Sequence, residues 1–269
     1  MSLIQSVIFG IIQGLTEFIP VSSTAHLLMA QTLFGLPADD AMFSFLVIVQ
    51  LGTLVSLFIF YRRDLRVLTR AFFARPFSSA ENRLGWYIII ATIPALAAGY
   101  FLNDAVEALF RKPLLEAAIR LFSAAILLTL AERFARRDRQ IGSMNWLDAL
   151  VVGLFQVISV FPGASRSGTT ISGGMFRGLD RPSAARFAFL ISVPVLLAAG
   201  AYEMLDVIRM PDLGRFLPTL GVGFVTAAIF GWLAIKWLIA YLSKHSLRVF
   251  AGYCALVGLV VLSFHFLQA

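Results

Sequence analysis

The sequence is poor in cysteine and in charged residues, and each shortage excludes a class of protein. Cys254 is the single cysteine among 269 residues, so the chain forms no internal disulfide and has no cysteine-based zinc pattern. Only 14% of the residues are Asp, Glu, Lys or Arg, and the chain has three histidines. Long uncharged runs replace the polar faces of a soluble domain and the short alternating segments of a membrane β-barrel.

Apolar residues dominate the composition instead. They make up 59% of the chain, the mean hydropathy is +0.85, and several runs are long enough to cross a hydrocarbon core of ~30 Å. We therefore predict an all-α integral membrane protein with about six transmembrane helices. The predicted spans are 43–61, 86–102, 115–131, 184–205, 216–241 and 249–268.

The excess of positive charge is confined to three loops between these spans. A net charge of +7 could indicate nucleic-acid binding, but basic loops flanking apolar spans are typical of the cytoplasmic side of a membrane protein. We therefore predict no nucleic-acid partner and place the three loops in the cytoplasm. Their basic residues are Arg62, Arg63, Arg66, Arg70, Arg75 and Arg83, then Arg133, Arg136, Arg137 and Arg139, then Lys244 and Arg248.

Two regions must begin and end on the same side of the membrane if the six spans alternate. Residues 1–36 and 146–182 each contain two short apolar segments separated by proline and polar residues. Neither segment is comfortably long enough to cross, which favours a re-entrant helical hairpin in each region. The alternative is eight ordinary spans, because two crossings in place of each hairpin preserve the alternation.

The two hairpin regions resemble each other in sequence. Gly10 and Gln13 align with Gly153 and Gln156, Phe18-Ile-Pro20 aligns with residues 160–162, and further matches follow the hairpins. Segments that repeat but enter from opposite sides form an inverted-topology repeat, whose broken helices meet near the midplane. We predict one polytopic domain, 1–269, with repeats at about 1–131 and 146–269. Chance similarity between apolar helices is the competing explanation.

Each hairpin region carries polar residues at a depth where ionisable groups are costly. We call residues 13–26 and 161–170 the first and second polar segments. An ionisable side chain near the helix centre costs at least ~2.5 kcal/mol to insert, so such residues indicate a functional site. Gln13 and Glu17 lie four residues apart and share a helix face, and Gly10 and Gly14 allow a close helix neighbour. Glu17 is either a metal ligand or general base, or an interfacial carboxylate at a helix end.

Three consecutive hydroxyl residues follow in the first segment, with a histidine close by. Ser22, Ser23 and Thr24 could serve only to cap the following helix. The nearby His26 favours a catalytic role for these hydroxyls, because a hydroxyl beside an imidazole can act as a nucleophile with the imidazole as its base.

The second polar segment has the composition of an anion site. Arg166 offers a guanidinium fork, while hydroxyls and glycines precede a helix and expose backbone N–H groups. A cytoplasmic arginine among capping serines is the alternative. An arginine at bilayer depth requires Glu17 or a bound anion as its partner. The hydroxyl and glycine positions are Ser165, Ser167, Gly168 and Thr170.

A phosphate or diphosphate beside Glu17 would leave negative charge uncompensated. A divalent cation bridging the carboxylate and the phosphates is therefore expected, and oxygen ligands suit Mg²⁺ or Ca²⁺.

Together these motifs are identified as those of a known enzyme family. Gln13-x-x-x-Glu17, Pro20-Val-Ser-Ser-Thr-x-His26 and Pro162-Gly-x-Ser165-Arg166-Ser167-Gly168-x-Thr170 strongly resemble the undecaprenyl-diphosphate phosphatase family of the bacitracin-resistance type, along essentially the whole chain. The family's acidic motif has Glu or Gln at its first position. Gln13 therefore leaves Glu17 as the only carboxylate, which puts a two-carboxylate metal site in doubt.

The resemblance implies a bacterial cytoplasmic-membrane enzyme that removes the terminal phosphate of a polyprenyl diphosphate carrier used in peptidoglycan synthesis. It implies Ser23 as the candidate nucleophile, although a water is the alternative, His26 as a general acid or base, Glu17 as metal ligand or base, and Arg166 as the diphosphate clamp. The substrate-binding residues it implies are Gln13, Ser22, Thr24, Ser165, Ser167, Gly168 and Thr170.

Two other functions compete with hydrolysis. Inverted repeats with broken helices are also the architecture of transporters, so the chain could move polyprenyl phosphate across the membrane, with Glu17 and His26 relaying protons. A structural membrane scaffold would leave the polar segments unexplained. The expected partners are the polyprenyl diphosphate and membrane lipids, and the sequence leaves open whether the protein forms a homodimer.

Overall fold

A computed structural model describes residues 1–37, 39–73, 76–101, 113–159, 164–209 and 213–268. Within these ranges the chain is helical, as predicted. The helices are α1 (Leu3–Phe18), α2 (Ser23–Leu33), α3 (Asp40–Phe60), α4 (Arg62–Phe72), α5 (Ala80–Phe101), α6 (Pro113–Phe134), α7 (Trp146–Ile158), α8 (Arg166–Phe176), α9 (Arg181–Arg209), α10 (Leu213–Leu242) and α11 (Arg248–Gln268).

Six of the described helices are long and apolar enough to span a membrane: α3, α5, α6, α9, α10 and α11. They coincide with the six predicted spans and extend several of them by a turn. Many of their large apolar side chains are exposed, as expected where they face lipid. The prediction of a multi-pass, all-α membrane protein is confirmed.

The basic loop predicted after the first span contains a helix that the sequence analysis did not identify. In α4 the apolar residues Leu65, Leu68 and Phe72 recur at three- and four-residue spacing, while arginines occupy the other faces. Phe72 packs against the ring of Trp86 on α5, and the amide of Asn82 donates to the carbonyl of Ala71 at 2.5 Å. These contacts hold α4 against α5 as an amphipathic helix.

The two short helix pairs form hairpins whose ends return to the end of the bundle where they began. In the first pair, the ring of Phe9 on α1 contacts that of Phe34, the residue that follows α2. In the second, Asp148 in the first turn of α7 accepts a hydrogen bond from Arg177, directly after α8. This geometry agrees with the predicted re-entrant hairpins at 1–36 and 146–182.

Glycines allow the first helix of each hairpin to approach a long helix closely. A Cβ on Gly10 would lie 2.7 Å from the carbonyl oxygen of Gly223 on α10, and a Cβ on Gly153 would lie 2.7 Å from that of Ala91 on α5. The two glycines occupy matching positions in the predicted repeat. The division into two inverted repeats stays a prediction that these matching contacts favour.

A single buried acid, Asp148 in the first turn of α7, joins residues that follow α6 and α8 at the predicted cytoplasmic side. Asp148 is completely buried, accepts a hydrogen bond from the backbone N–H of Asn145, the N-cap residue of α7, and receives hydrogen bonds from Arg139 and Arg177. Burial raises the pKa of Asp148, but the hydrogen bonds from Arg139, from the Asn145 backbone and from Arg177 together lower it below its ordinary value. An arginine of the second basic loop and the arginine that follows α8 are therefore both bound by an acid at the mouth of the second hairpin.

Candidate active site

The tips of the two hairpins meet through an ion pair and a hydrogen bond. Glu17, near the end of α1, accepts a hydrogen bond from Arg166, the first residue of α8, with Oε1 and Nη2 2.5 Å apart. The hydroxyl of Ser167 donates to the carbonyl of Ile19 at 3.4 Å. The two polar segments are thus in contact although Glu17 and Arg166 are 149 residues apart in sequence. Phe161, Pro162 and Gly163 of the second segment lie outside the described residues.

Glu17 is the centre of the hydrogen-bond network at this junction. Its Oε2 accepts from the Gln13 amide at 2.9 Å and from the Ser23 hydroxyl at 2.8 Å, while Oε1 faces Arg166. Only 6% of Glu17 is exposed, which is tolerable because the carboxylate is both paired and hydrogen-bonded. The shared helix face expected of Gln13 and Glu17 is present.

A sharp turn between α1 and α2 directs Ser23 toward Glu17. Pro20 disfavours continuation of α1, and Ser22 adopts a φ of 67°, a left-handed conformation uncommon for residues other than glycine. Ser22 occupies the N-cap position of α2, but its side chain makes no capping hydrogen bond. Such backbone strain persists where surrounding contacts enforce it and is concentrated at functional sites.

His26 faces away from Ser23 and toward an aromatic residue of the last helix. Its Nδ1 lies 2.8 Å from the carbonyl oxygen of Ser22, and its Nε2 lies 2.7 Å from the hydroxyl of Tyr253. A carbonyl can only accept, so the proton of neutral His26 resides on Nδ1 and the Tyr253 hydroxyl donates to Nε2. The hydrogen-bond partner of Ser23 is therefore the carboxylate of Glu17 rather than the imidazole suggested by the sequence.

Tyr253 is a site residue that sequence reasoning missed. Its ring lies parallel to that of His26, with an interplanar angle of 6° and centroids 5.7 Å apart. The next residue, Cys254, is buried as expected, with its sulfur 3.7 Å from the carbonyl oxygen of Pro20. Both residues of α11 thus contact the first polar segment.

Arg166 retains donor capacity inside the site. Its Nη2 is bound by Glu17, whereas its Nη1 is buried and has no hydrogen-bond partner among the described residues. A buried guanidinium nitrogen without a partner carries a desolvation penalty that an anionic oxygen would relieve.

Some of the remaining predicted site residues contact members of this hydrogen-bond network, and others do not. Ser165 caps α8 by accepting from the backbone N–H of Gly168, and its hydroxyl lies 3.3 Å from that of Ser167. The hydroxyl of Thr170 donates to the carbonyl of Arg166 within α8. Thr24 is exposed, and no described contact ties its side chain to Glu17.

The donor set can hold a cation only with help from a ligand. Among the described residues no group of three His, Cys, Asp or Glu side chains is close enough to hold a metal. Glu17 is a single carboxylate with a hydroxyl and an amide beside it. Mg²⁺ is commonly bound by one or two carboxylates together with substrate phosphates and water, so the site fits a cation shared with a phosphorylated ligand.

Comparison with known proteins supports the family resemblance of the motifs over nearly the whole chain. The chain is 42% identical over 270 residues to an undecaprenyl-diphosphatase of Anaeromyxobacter dehalogenans strain 2CP-1, covering 97% of this chain and 91% of the relative. It is 39% identical to the undecaprenyl-diphosphatases of Desulforudis audaxviator, covering 96% of both chains, and of Mycobacterium ulcerans, covering 97% of this chain and 96% of the relative. Residues 6–260 match the model of the family described as bacitracin resistance protein BacA. The chain belongs to this bacitracin resistance protein family.

Proposed function

We propose that the chain hydrolyses undecaprenyl diphosphate to undecaprenyl phosphate and inorganic phosphate. The observation that carries the proposal is the arrangement at the hairpin junction, where the Ser23 hydroxyl donates to Glu17 and Glu17 pairs with an arginine that keeps an unpartnered buried nitrogen. A nucleophile, a proton acceptor and an anion clamp are thus adjacent. The relatives named undecaprenyl-diphosphatase support this substrate.

The junction supplies the groups needed for in-line attack on the terminal phosphorus. Arg166 donates from Nη1 to a phosphoryl oxygen and neutralises charge that develops there. The Ser23 hydroxyl, or a water in its place, forms the new bond to phosphorus while its proton passes to Glu17 Oε2. The bond to the bridging oxygen breaks, and that oxygen keeps the electron pair as part of the polyprenyl phosphate. If Ser23 attacks, a water then releases the phosphate from the serine.

His26 and Tyr253 form a second proton-exchange pair beside this centre. Because the Ser22 carbonyl fixes the Nδ1 proton, Nε2 is the nitrogen that can accept a proton passing through the Tyr253 hydroxyl. We assign His26 to general acid or base work and Tyr253 to its orientation.

We include a divalent cation, Mg²⁺ or Ca²⁺, in the proposal, and Glu17 together with the diphosphate would hold it. When bound, it would neutralise phosphate charge that Arg166 alone leaves uncompensated. The protein side of such a site consists of Glu17, with Gln13 and Ser23 holding the carboxylate in place.

We place the enzyme in the bacterial cytoplasmic membrane with its basic loops inside. The polyprenyl tail would remain among the lipids while its diphosphate reaches the hairpin junction. Transport of polyprenyl phosphate is the rival function, and it requires a sealed membrane, whereas hydrolysis does not.

The test is phosphate release from undecaprenyl diphosphate by purified protein in detergent, with Mg²⁺ or Ca²⁺ and then with chelator. Wild type should release phosphate, chelation should abolish release, and Ser23→Ala should reduce it at least about a hundredfold, in the range of a lost catalytic group. Thr32→Ala, which removes an exposed hydroxyl near the other end of α2, should stay within about twofold. Absence of release from folded wild-type protein would favour the transporter, and equal effects of the two substitutions would remove Ser23 from the mechanism.

A further inference from the structure

An apolar groove lies along α6 and α11, and its α11 residues flank Tyr253. It has a volume of about 790 Å³. Apart from Arg248, the lining residues of α11 are small, and most of those of α6 are larger. The lining residues are Phe122, Ala125, Ile126, Thr129, Leu130 and Arg133 on α6, and Arg248, Ala251, Gly252 and Ala255 on α11.

Two arginines close one end of the groove and have no acidic partner among the described residues. Both Arg133 and Arg248 line the groove, and they lie at the same end of it because Glu132 and Leu247, the residues that precede them, are joined by a 2.8 Å hydrogen bond. Both side chains are exposed.

Two neighbouring arginines at this end of the molecule are already neutralised. Glu132 binds Arg137 and Arg181, with the closest contact to each at 2.6 Å. The acid adjacent to Arg133 is therefore fully engaged with other partners. Arg133 and Arg248 thus carry positive charge that no described acid neutralises, and the guanidinium of Arg133 lies over the Phe134 ring, 5.6 Å from its centre.

The length of the groove matches one leaflet of a bilayer. From Phe122 to Arg133 the helix rises about 16 Å at 1.5 Å per residue, roughly half of a ~30 Å hydrocarbon core. An acyl chain of a phospholipid fits this length with its phosphate at the arginines. Basic pockets between transmembrane helices on the cytoplasmic side are sites where anionic lipid headgroups bind.

We propose that this groove binds an anionic phospholipid of the cytoplasmic leaflet, with its phosphate at Arg133 and Arg248 and an acyl chain along Gly252. This lipid site does not depend on the reaction proposed at the hairpin junction. No acidic side chain lines the described groove, so nothing in it opposes a negative headgroup.

Gly252 offers a substitution that fills the groove without disturbing the protein interior. A Cβ at this position meets no atom within 4 Å. Gly252→Leu therefore extends into the space assigned to the acyl chain and also replaces a poor helix former. Gly221→Leu on α10 is the matched control, because a Cβ there also meets no atom within 4 Å.

Each protein is reconstituted in nanodiscs that contain equal parts of phosphatidylcholine and phosphatidylglycerol. After detergent extraction, native mass spectrometry identifies the lipid that the protein retains. Wild type and Gly221→Leu should retain phosphatidylglycerol in preference to phosphatidylcholine by at least about fivefold, the factor for one arginine near an anionic surface. Gly252→Leu and the double variant Arg133→Gln/Arg248→Gln should lose this preference. Arg63→Gln/Arg83→Gln, which removes the same charge from another exposed region, should keep it.

Three outcomes would overturn the proposal. The first is equal retention of the two lipids by wild type, and the second is an unchanged preference in Gly252→Leu and in Arg133→Gln/Arg248→Gln. The third is occupancy of the groove by a second copy of the chain, seen as a wild-type dimer that Gly252→Leu converts to monomer. Thermal unfolding of every variant separates loss of lipid from loss of fold.

Discussion

At the scale of single residues, the chemistry of the site depends on which groups share a proton. The sequence places a serine, a threonine and a histidine within one turn of helix, which suggests a hydroxyl and imidazole pair. The structure instead pairs Ser23 with Glu17 and His26 with Tyr253. This pairing follows from the left-handed turn at Ser22. No residue pattern predicts that turn, because such a φ is unusual for serine.

Tyr253 shows why some site residues have no signal in the sequence. It lies 227 residues from His26, in an apolar helix one turn beyond a basic loop. A tyrosine there is typical of the aromatic belt at a membrane interface. Only the packing of α11 beside the first hairpin gives it a role.

Tyr253→Phe should keep the ring stacked on His26 while removing the hydroxyl that donates to Nε2. We expect kcat for phosphate release to fall about tenfold with little change in KM, because the effect acts through a proton-transfer group. In a His26→Ala background the same substitution should have no further effect. Tyr241→Phe is the control, since Tyr241 also stacks on a histidine, His245, outside the site. Additive losses in the double variant would show that Tyr253 does not act through His26.

At the scale of helices, spans and hairpins were largely predictable because their signals are local. Long uncharged runs give the six spans, and proline with polar residues marks both hairpin tips. The helix α4 was missed because its arginines are typical of a basic loop, and its apolar stripe of Leu65, Leu68 and Phe72 is short. The glycine pair of α1 predicted a close neighbour, although not that the neighbour is α10.

Gly14→Ala should separate α1 from α10 and displace Glu17, one turn further along α1. A Cβ on Gly14 would lie 2.8 Å from the carbonyl oxygen of Ala227 and from the backbone nitrogen of Gly231, so backbone must shift. We expect a loss of about 1–3 kcal/mol in the free energy of unfolding, the range for overpacking, together with reduced activity. Gly221→Ala on α10 should leave both unchanged. Thermal unfolding in detergent measures the difference, and equal stability of the two variants would contradict the packing described here.

At the scale of the whole molecule, two hairpins entering from opposite ends of the bundle bring distant segments together. Sequence similarity between the hairpins indicated this arrangement, but the contacts that close it depend on tertiary packing. Asp148 is an example of a residue whose role depends on tertiary packing. No motif in the sequence marks it, yet it joins the start of the second hairpin to its end and to the preceding loop.

Stability should depend on the charge of Asp148 in the acid range. Hydrogen bonds to arginine hold its pKa below the ordinary value of 3.8, so its contribution is fully present above that value and is lost as the pH falls through the lower folded-state pKa. Asp148→Asn should reduce the free energy of unfolding by about 2 kcal/mol at neutral pH. This deficit relative to wild type should shrink only below the ordinary pKa. Asp138 lies in the same region but is exposed, so Asp138→Asn should cause no deficit. If the deficit of Asp148→Asn stayed the same as the pH falls below 3.8, the charge of Asp148 would have no role in stability.

The measurement that tests the central claim most directly is phosphate release from undecaprenyl diphosphate by Glu17→Gln beside wild type in the same detergent. The substitution keeps the size of the side chain and its capacity to accept from Gln13 and Ser23, but it removes the charge that pairs with Arg166 and accepts the proton. If the joined hairpin tips form the catalytic centre, kcat should fall at least about a hundredfold while the protein stays folded. Activity near that of wild type would contradict the account, because the carboxylate on which the site converges would then have no part in the reaction.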